Sequence, residues 1–183
     1  MKNIVYFDLE TRRSAAQVGG WHETEKMGIS VAVTFSTRDN AYHIYTEDQA
    51  AQLIEELCQA DLVVGYNHIG FDYGVLQPHS FWTIADHTRN CDICTYLTEK
   101  IGHRLKLDSV AKPTLGGNSK TAEGTDALKW WAEYEKEGDP QKLLDIAKYC
   151  CFDVKVKFGA TNGYVLYEDK NGEPVKVEVD WEL

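Results

Sequence analysis

The chain has no apolar run that approaches the ~18–20 residues a membrane-spanning helix requires, so a helical membrane span is excluded. The apolar run that follows Asn3 meets an acidic residue at Asp8, too early for the apolar region of a signal peptide, so we expect no export signal. The hydrophobic fraction of 43% and the charged fraction of 26% are those of an ordinary globular protein. We therefore expect a cytoplasmic protein.

The sequence also lacks the paired ligands of a structural zinc site. Cys91 and Cys94 have the spacing of half a zinc site or of a redox pair. No second Cys-x-x-Cys or His pair completes a tetrahedral site, and Cys150 and Cys151 are adjacent rather than spaced as ligands. Disulfides are not expected in a chain without an export signal. We interpret the cysteines as buried thiols.

Positive charge is scarce, with 19 Lys and Arg against 29 Asp and Glu and a formal net charge of −10. A protein that wraps duplex nucleic acid through phosphate contacts usually has the opposite balance. The composition argues against tight, non-specific binding along a nucleic acid and favours a small area of contact with the substrate. The most basic segment is 100–120, where Asp108 is the one acid among Lys100, His103, Arg104, Lys106, Lys112 and Lys120.

The apolar pattern predicts a mixture of strands and helices within one domain. Strands are predicted over 3–9, 29–35, 41–45 and 61–65, and a loop over 12–28. Helices are predicted over 46–60, 71–78 and 139–161, the last with a break near the cysteine pair. A C-terminal hairpin is predicted to turn at Asn171-Gly172. The first three strands indicate an antiparallel meander. No internal repeat, linker or low-complexity tract is present. We predict a single domain over 1–183, with a core over 1–162 and the hairpin over 163–183.

Two acidic residues, Asp8 and Glu10, stand on the first predicted strand. They are two positions apart, so both side chains project from the same face. Carboxylates crowded at the end of a core strand repel each other, and a hard divalent cation with oxygen ligands is the usual solution. The alternative is a solvated surface pair, because an Asp-x-Glu motif is expected by chance in a chain with 29 acidic residues. The apolar run from Ile4 to Phe7 favours metal binding, because it indicates a central strand.

Two later motifs carry further acids. Asp72 follows the predicted strand 61–65 at a strand-to-helix junction, where functional groups often gather. The alternative there is an aspartate that stabilises a helix N-terminus by ~0.3–1 kcal/mol. Tyr149 and Asp153 are four residues apart on the last predicted helix and share a face. Their alternative is a core tyrosine and a surface aspartate.

The order of these motifs resembles the DEDD exonuclease superfamily, which has a ribonuclease H-like fold and includes polymerase proofreading domains. The matching motifs are Asp8-x-Glu10, then Asn67-x-x-x-Phe71-Asp72, then Tyr149-x-x-x-Asp153, and the resemblance covers roughly residues 1–160.

Finer features point to the tyrosine type within that superfamily. The tyrosine stands four places before the last aspartate, and no histidine follows His103. The segment from Arg104 to Ala111 resembles the family's segment ahead of its last helix. The finer resemblance is to stand-alone exonucleases related to the proofreading domain of family B polymerases.

The resemblance implies an α/β, ribonuclease H-like fold: a mixed sheet with an antiparallel meander and parallel strands, flanked by helices, here with a C-terminal hairpin. It implies a metal-dependent 3′–5′ exonuclease that releases 5′-mononucleotides from single-stranded DNA or RNA. Asp8, Glu10, Asp72 and Asp153 would hold two divalent cations, Mg²⁺ or Mn²⁺, and Tyr149 would position the attacking water. The candidate substrate contacts are Thr11, Trp21, His22, Asn67, Phe71, Arg104, Lys106 and Lys120.

Two other functions stay open at this point. A ribonuclease H-like endonuclease shares the strand acids and the metals, and cleavage of a circular substrate would separate it from an exonuclease. A non-catalytic module that binds nucleic acid or a protein partner could keep the same fold, and the C-terminal aromatic residues Tyr164, Tyr167 and Trp181 could serve such a partner. Such modules usually lose a metal ligand, whereas all four acidic positions are present here.

Overall fold

A five-stranded mixed sheet forms the centre of the structure, a computed structural model that describes residues 2–114, 124–159, 164–169 and 171–179. Its strand order is β3-β2-β1-β4-β5. The strands are β1 (Ile4–Thr11), β2 (Ile29–Ser36), β3 (Ala41–Tyr45), β4 (Leu62–Gly65) and β5 (Asn90–Asp92). The first three pair antiparallel, and β4 and β5 continue the sheet in parallel with β1. The predicted α/β class and the predicted meander are both confirmed.

Helices cover both faces of this sheet. They are α1 (Ala15–Val18), α2 (Ala50–Gln59), α3 (Asp72–Leu76), α4 (Ile93–Ile101), α5 (Leu107–Thr114), α6 (Gly124–Glu137) and α7 (Pro140–Gly159). One apolar cluster joins the sheet to α2 and α3, and the other joins its opposite face to α4, α5, α6 and α7. None of the described helices is long and apolar enough to cross a membrane.

The alternation of β1 divides its side chains between the two clusters. Val5, Phe7 and Leu9 are buried in the cluster with α2 and α3, whereas Tyr6 belongs to the cluster with α7. Because side chains on a strand alternate with period two, Asp8 and Glu10 share the α7 face with Tyr6. The apolar core therefore decides which helix the strand carboxylates meet.

Several local expectations are corrected by the structure. The last helix runs without a break through Cys150 and Cys151, so the expected interruption is wrong. The segment 12–28 contains α1 and a 3-10 turn at Thr24–Lys26 in addition to loop. Sequence analysis did not predict β5, α4, α5 or α6. Helix α4 carried readable signals, because Asp92 caps it, Ile93, Leu97 and Ile101 recur every four residues, and Gly102 ends it at φ +82°.

The C-terminal hairpin forms as predicted, with β6 (Tyr164–Glu168) and β7 (Pro174–Glu178) paired antiparallel. Gly172 takes φ +81° in the connection, a backbone conformation that glycine adopts without steric cost. Val165 and Val177 are buried in the cluster with α7, so the hairpin packs on that side of the sheet. Trp181 lies outside the described residues.

Asp92 stabilises the connection between β4 and α3. Its carboxylate accepts hydrogen bonds from the backbone N–H groups of Asn67 (2.8 Å), Ile69 (3.2 Å), Cys94 (3.1 Å) and Thr95 (3.2 Å). One side chain thus caps α4 and holds the connection that leads into Asp72. A methyl group on Gly65 would lie 2.5 Å from the His68 ring, so the start of this connection is also tightly packed.

Replacing Asp92 with alanine should lower the free energy of unfolding by about 2–4 kcal/mol, because an unsatisfied buried donor costs ~1–3 kcal/mol and water reaches only some of the four N–H groups. Urea denaturation measures this change. The exposed Asp86 provides the control, and Asp86→Ala should change stability by less than about 0.5 kcal/mol. Equal, small effects of the two substitutions would contradict the structural role of Asp92.

Candidate metal centre

Three carboxylates meet where the end of β1 faces α7. Asp8, Glu10 and Asp153 each offer an oxygen atom, and these three atoms lie within 4.8 Å of one another. Asp153 is 5% exposed, and the two strand residues are partly buried. A set of carboxylate oxygens suits a hard divalent cation such as Mg²⁺ or Mn²⁺. The residues present therefore fit the metal that the sequence motifs imply.

Helix α7 brings the other predicted residue, Tyr149, close to this group. Tyr149 lies one turn before Asp153 on the same face and is 8% exposed. Its ring contacts Trp130 of α6, with centroids 6.5 Å apart and an interplanar angle of 71°. A methyl group on Gly124 would lie 3.9 Å from the Tyr149 hydroxyl oxygen, so the start of α6 lies close to this hydroxyl.

Asp72 contacts the backbone of β1. The last parallel pair between β1 and β4 is Tyr6 with Val64, and β1 continues beyond it. There the backbone N–H of Leu9 donates to Asp72 Oδ1 at 3.2 Å, a buried hydrogen bond. Asp72 is therefore tied to the residue between the two strand carboxylates. It is not a member of the group of three within 4.8 Å.

Cys150 is a neighbour of the centre that sequence analysis missed. Its Sγ lies 3.3 Å from the backbone oxygen of Asp8 and 3.3 Å from Asp8 Oδ2, so the thiol donates toward the aspartate. The sequence offered only an adjacent cysteine pair, and nothing in its spacing indicated this contact.

A cavity of about 640 Å³ adjoins the carboxylates. Glu10, Thr11, Trp21 and Phe71 are among the residues that line it. The Trp21 and Phe71 rings lie 6.0 Å apart at 59°, and Trp21 is 74% exposed. These two aromatic side chains give the cavity a wall on which a planar ring can stack.

The other predicted substrate contacts are more scattered. His22 follows Trp21 and is exposed, with Nε2 3.6 Å from a Glu23 carboxylate oxygen. Asn67 adopts φ +60° in the connection held by Asp92. Arg104 and Lys106 are exposed between α4 and α5, and neither lines the cavity beside Glu10. Lys120 lies outside the described residues.

Two tyrosines near the connection into Asp72 have perturbed acidity. Burial is the main cause that raises the pKa of Tyr66 and of Tyr73 above the usual range. Both stay neutral donors at physiological pH: Tyr66 donates to the Leu105 carbonyl at 2.9 Å, and Tyr73 donates to Asn90 Oδ1 at 2.7 Å. Their hydrogen bonds attach this part of the chain to Leu105 and to Asn90.

Comparison with known proteins agrees with this fold. The family model of the RNase H superfamily matches residues 5–158. Among solved structures, the chain is similar to the family B DNA polymerase from the hyperthermophilic archaeon Pyrobaculum calidifontis, with a TM-score of 0.62 and 16% sequence identity. The match covers 87% of this chain and 24% of the polymerase chain, and it shows a shared fold. No curated protein sequence matches the chain.

The ribonuclease H-like fold expected from the motifs is thus confirmed. The sheet order, the helices on both faces and the extent of the family match all agree, and the match takes in Asp8, Glu10, Asp72 and Asp153. From its sequence and its fold together, the chain belongs to the RNase H superfamily.

Proposed function

We propose that the protein is a metal-dependent 3′–5′ exonuclease that removes 5′-mononucleotides from the end of single-stranded nucleic acid. Membership of the RNase H superfamily supports a nuclease-type function. The observation that carries the proposal is the approach of Asp8, Glu10 and Asp153 within 4.8 Å, with Tyr149 one helical turn before the last of them. A cytoplasmic location stays a prediction.

The carboxylates of Asp8, Glu10 and Asp153 are the proposed metal ligands. Asp72 is the proposed fourth acid and would help to hold a second cation, since its carboxylate accepts the N–H of Leu9, between the two strand ligands. Bound Mg²⁺ or Mn²⁺ would supply an activated water and would stabilise charge on the reacting phosphate. Cys150 donates toward Asp8 and so restrains one of these ligands.

Tyr149 is the proposed residue that orients the attacking water. Its position on the same face as Asp153 allows the phenol O–H to act beside the carboxylate group. The contact of its ring with Trp130 limits where the ring can move. A side chain restrained in this way would orient a water at little entropic cost.

The cavity lined by Trp21 and Phe71 is the proposed place of the 3′-terminal nucleotide. Its volume of about 640 Å³ is within the ~300–1,000 Å³ of small-molecule sites. It begins at Glu10 and Thr11, so a nucleotide inside it would place its phosphate near the carboxylates. Stacking on an aromatic side chain is open to any base, because every base has a π face, and it suits the base at a single-stranded end.

Asp153→Asn should abolish nucleolytic activity or lower it by more than about 100-fold, because even an outer-shell partner of a metal ligand is worth ~10–100-fold. The measurement is a gel time course on 5′-labelled single-stranded DNA and RNA with Mg²⁺, Mn²⁺ or EDTA. The control is Asp145→Asn on the same helix. Asp145 accepts a hydrogen bond from Gln141 at 2.9 Å and is not a member of the carboxylate group, so this variant should keep full activity.

A ladder that shortens from the 3′ end in the presence of metal is the expected result. Cleavage of a circular single strand would identify an endonuclease instead. Absence of cleavage of every linear substrate with either metal would contradict catalysis and favour a binding module.

Trp21→Ala should raise KM for a single-stranded oligonucleotide about 5- to 150-fold, since stacking of a base on an aromatic ring is worth ~1–3 kcal/mol. Because Trp21 is largely exposed, the substitution should leave thermal unfolding unchanged. The matched control is Trp82→Ala, another exposed tryptophan that lines a different cavity. Equal KM values for the wild type and Trp21→Ala would remove this tryptophan from the substrate site.

A further inference from the structure

The cavity proposed for the terminal nucleotide adjoins a second one of about 440 Å³. Arg13 and Leu128 line both cavities, so the two share a boundary. Arg13 follows Glu10 by three residues, and at ~3.3 Å per extended residue their Cα atoms are at most about 10 Å apart. One bound strand can therefore contact the carboxylates and the second cavity together.

Two arginines line the second cavity, and the fold constrains them differently. Arg12 is fixed: Nε donates to the Ile29 carbonyl at 2.8 Å, and Nη1 lies 2.6 Å from Glu47. Its guanidinium carbon lies 4.6 Å from the centre of the Trp131 ring. Arg13 is exposed, and within the described part of the chain its guanidinium makes one long hydrogen bond, from Nε to the Met27 carbonyl at 3.5 Å. Arg13 thus retains charge and donors for a ligand.

Trp131 forms part of the wall of the second cavity and is 6% exposed. Its indole Nε1 is buried and has no hydrogen-bond partner among the residues that the structure describes, so this N–H is not exposed to a ligand in the cavity. Glu135 is the one acidic residue among the described lining residues, and it is exposed.

Since Arg12 is paired with Glu47, the charge and the N–H donors that the second cavity offers are those of Arg13. The ligand that complements it brings negative charge and several acceptor oxygens. A phosphate group has this chemistry, and a planar guanidinium can bind two of its oxygens at once.

We propose that the second cavity is a phosphate-binding subsite for the substrate strand, with Arg13 as the residue that contacts the phosphate. The proposal rests on the proposed function, and it adds a substrate contact beyond the terminal nucleotide. An internal phosphodiester is one source of this phosphate, and a phosphate on the 3′ end of the strand is the other.

The test is equilibrium binding of a 5′-fluorescein single-stranded oligonucleotide in EDTA, so that no cleavage occurs. Arg13→Gln should weaken binding about tenfold, and it should reduce the slope of log K against log salt by about 0.7, the value for one phosphate contact on a single strand. The control is Arg38→Gln, an exposed arginine in the turn between β2 and β3 that should leave both quantities unchanged.

A methylphosphonate scan identifies the phosphate. Each of the last four internal phosphates is made neutral in turn, and the wild type and Arg13→Gln are compared on every strand. The loss of affinity caused by Arg13→Gln should vanish when one particular phosphate is neutral and persist when any of the others is. A penalty that appears only on strands with a 3′-phosphate would assign the subsite to that terminal group.

Equal binding of the wild type and Arg13→Gln to strands with and without a 3′-phosphate would overturn the proposal. An equal loss of affinity in Arg38→Gln would also overturn it, because the effect would then reflect the net charge of the protein and not a contact made by Arg13. Hydrolysis of thymidine 5′-p-nitrophenyl phosphate by the wild type, measured with Mn²⁺, tests the exonuclease proposal separately. A protein that lacks this hydrolysis but shows the position-specific penalty has the phosphate subsite without the proposed activity.

Discussion

Mutual repulsion of three carboxylates is the constraint on which the rest of this structure depends. Asp8, Glu10 and Asp153 have oxygen atoms within 4.8 Å of one another. At such separations each pair of like charges costs about 1–4 kcal/mol, depending on how far water screens them. The hydrophobic clusters on the two faces of the sheet must hold β1 and α7 together against this repulsion. A bound cation would reverse the sign of that local electrostatic energy.

The apolar core and a few hydrogen bonds bring the acids together in spite of this repulsion. The alternation of β1 buries Phe7 and Leu9 on the face of α2 and α3, and it leaves the carboxylates to meet α7. The backbone of Leu9 in turn holds Asp72, whose approach depends on the connection that Asp92 fastens. Each acid is therefore positioned by a backbone element that is itself buried or capped, which would limit reorganisation on binding of the proposed substrate and metal.

Much of the fold and of the centre was readable from the sequence. The strand alternation and the spacing of Tyr149 and Asp153 are local properties, and both predict which face a side chain occupies. The contact of Cys150 with Asp8 and the shared boundary at Arg13 join residues that are distant or unremarkable in sequence, so no local pattern encodes them. The missed helix α4 is a different case, since its caps and its apolar period were present. The proposed phosphate contacts of Arg104 and Lys106 were inferred from charge and stay predictions, since neither residue lines the cavity beside Glu10.

The central claim is that the carboxylate group is a divalent-metal site, and unfolding of the wild type and Glu10→Gln with and without Mn²⁺ tests it most directly. Without metal, the variant should be more stable by about 1 kcal/mol, because one repulsive charge is removed. With Mn²⁺ at 100 times the dissociation constant, the wild type should gain ~2.7 kcal/mol, and the variant should gain far less. Equal stabilisation of both proteins by Mn²⁺, or a loss of metal-free stability in Glu10→Gln, would contradict the account.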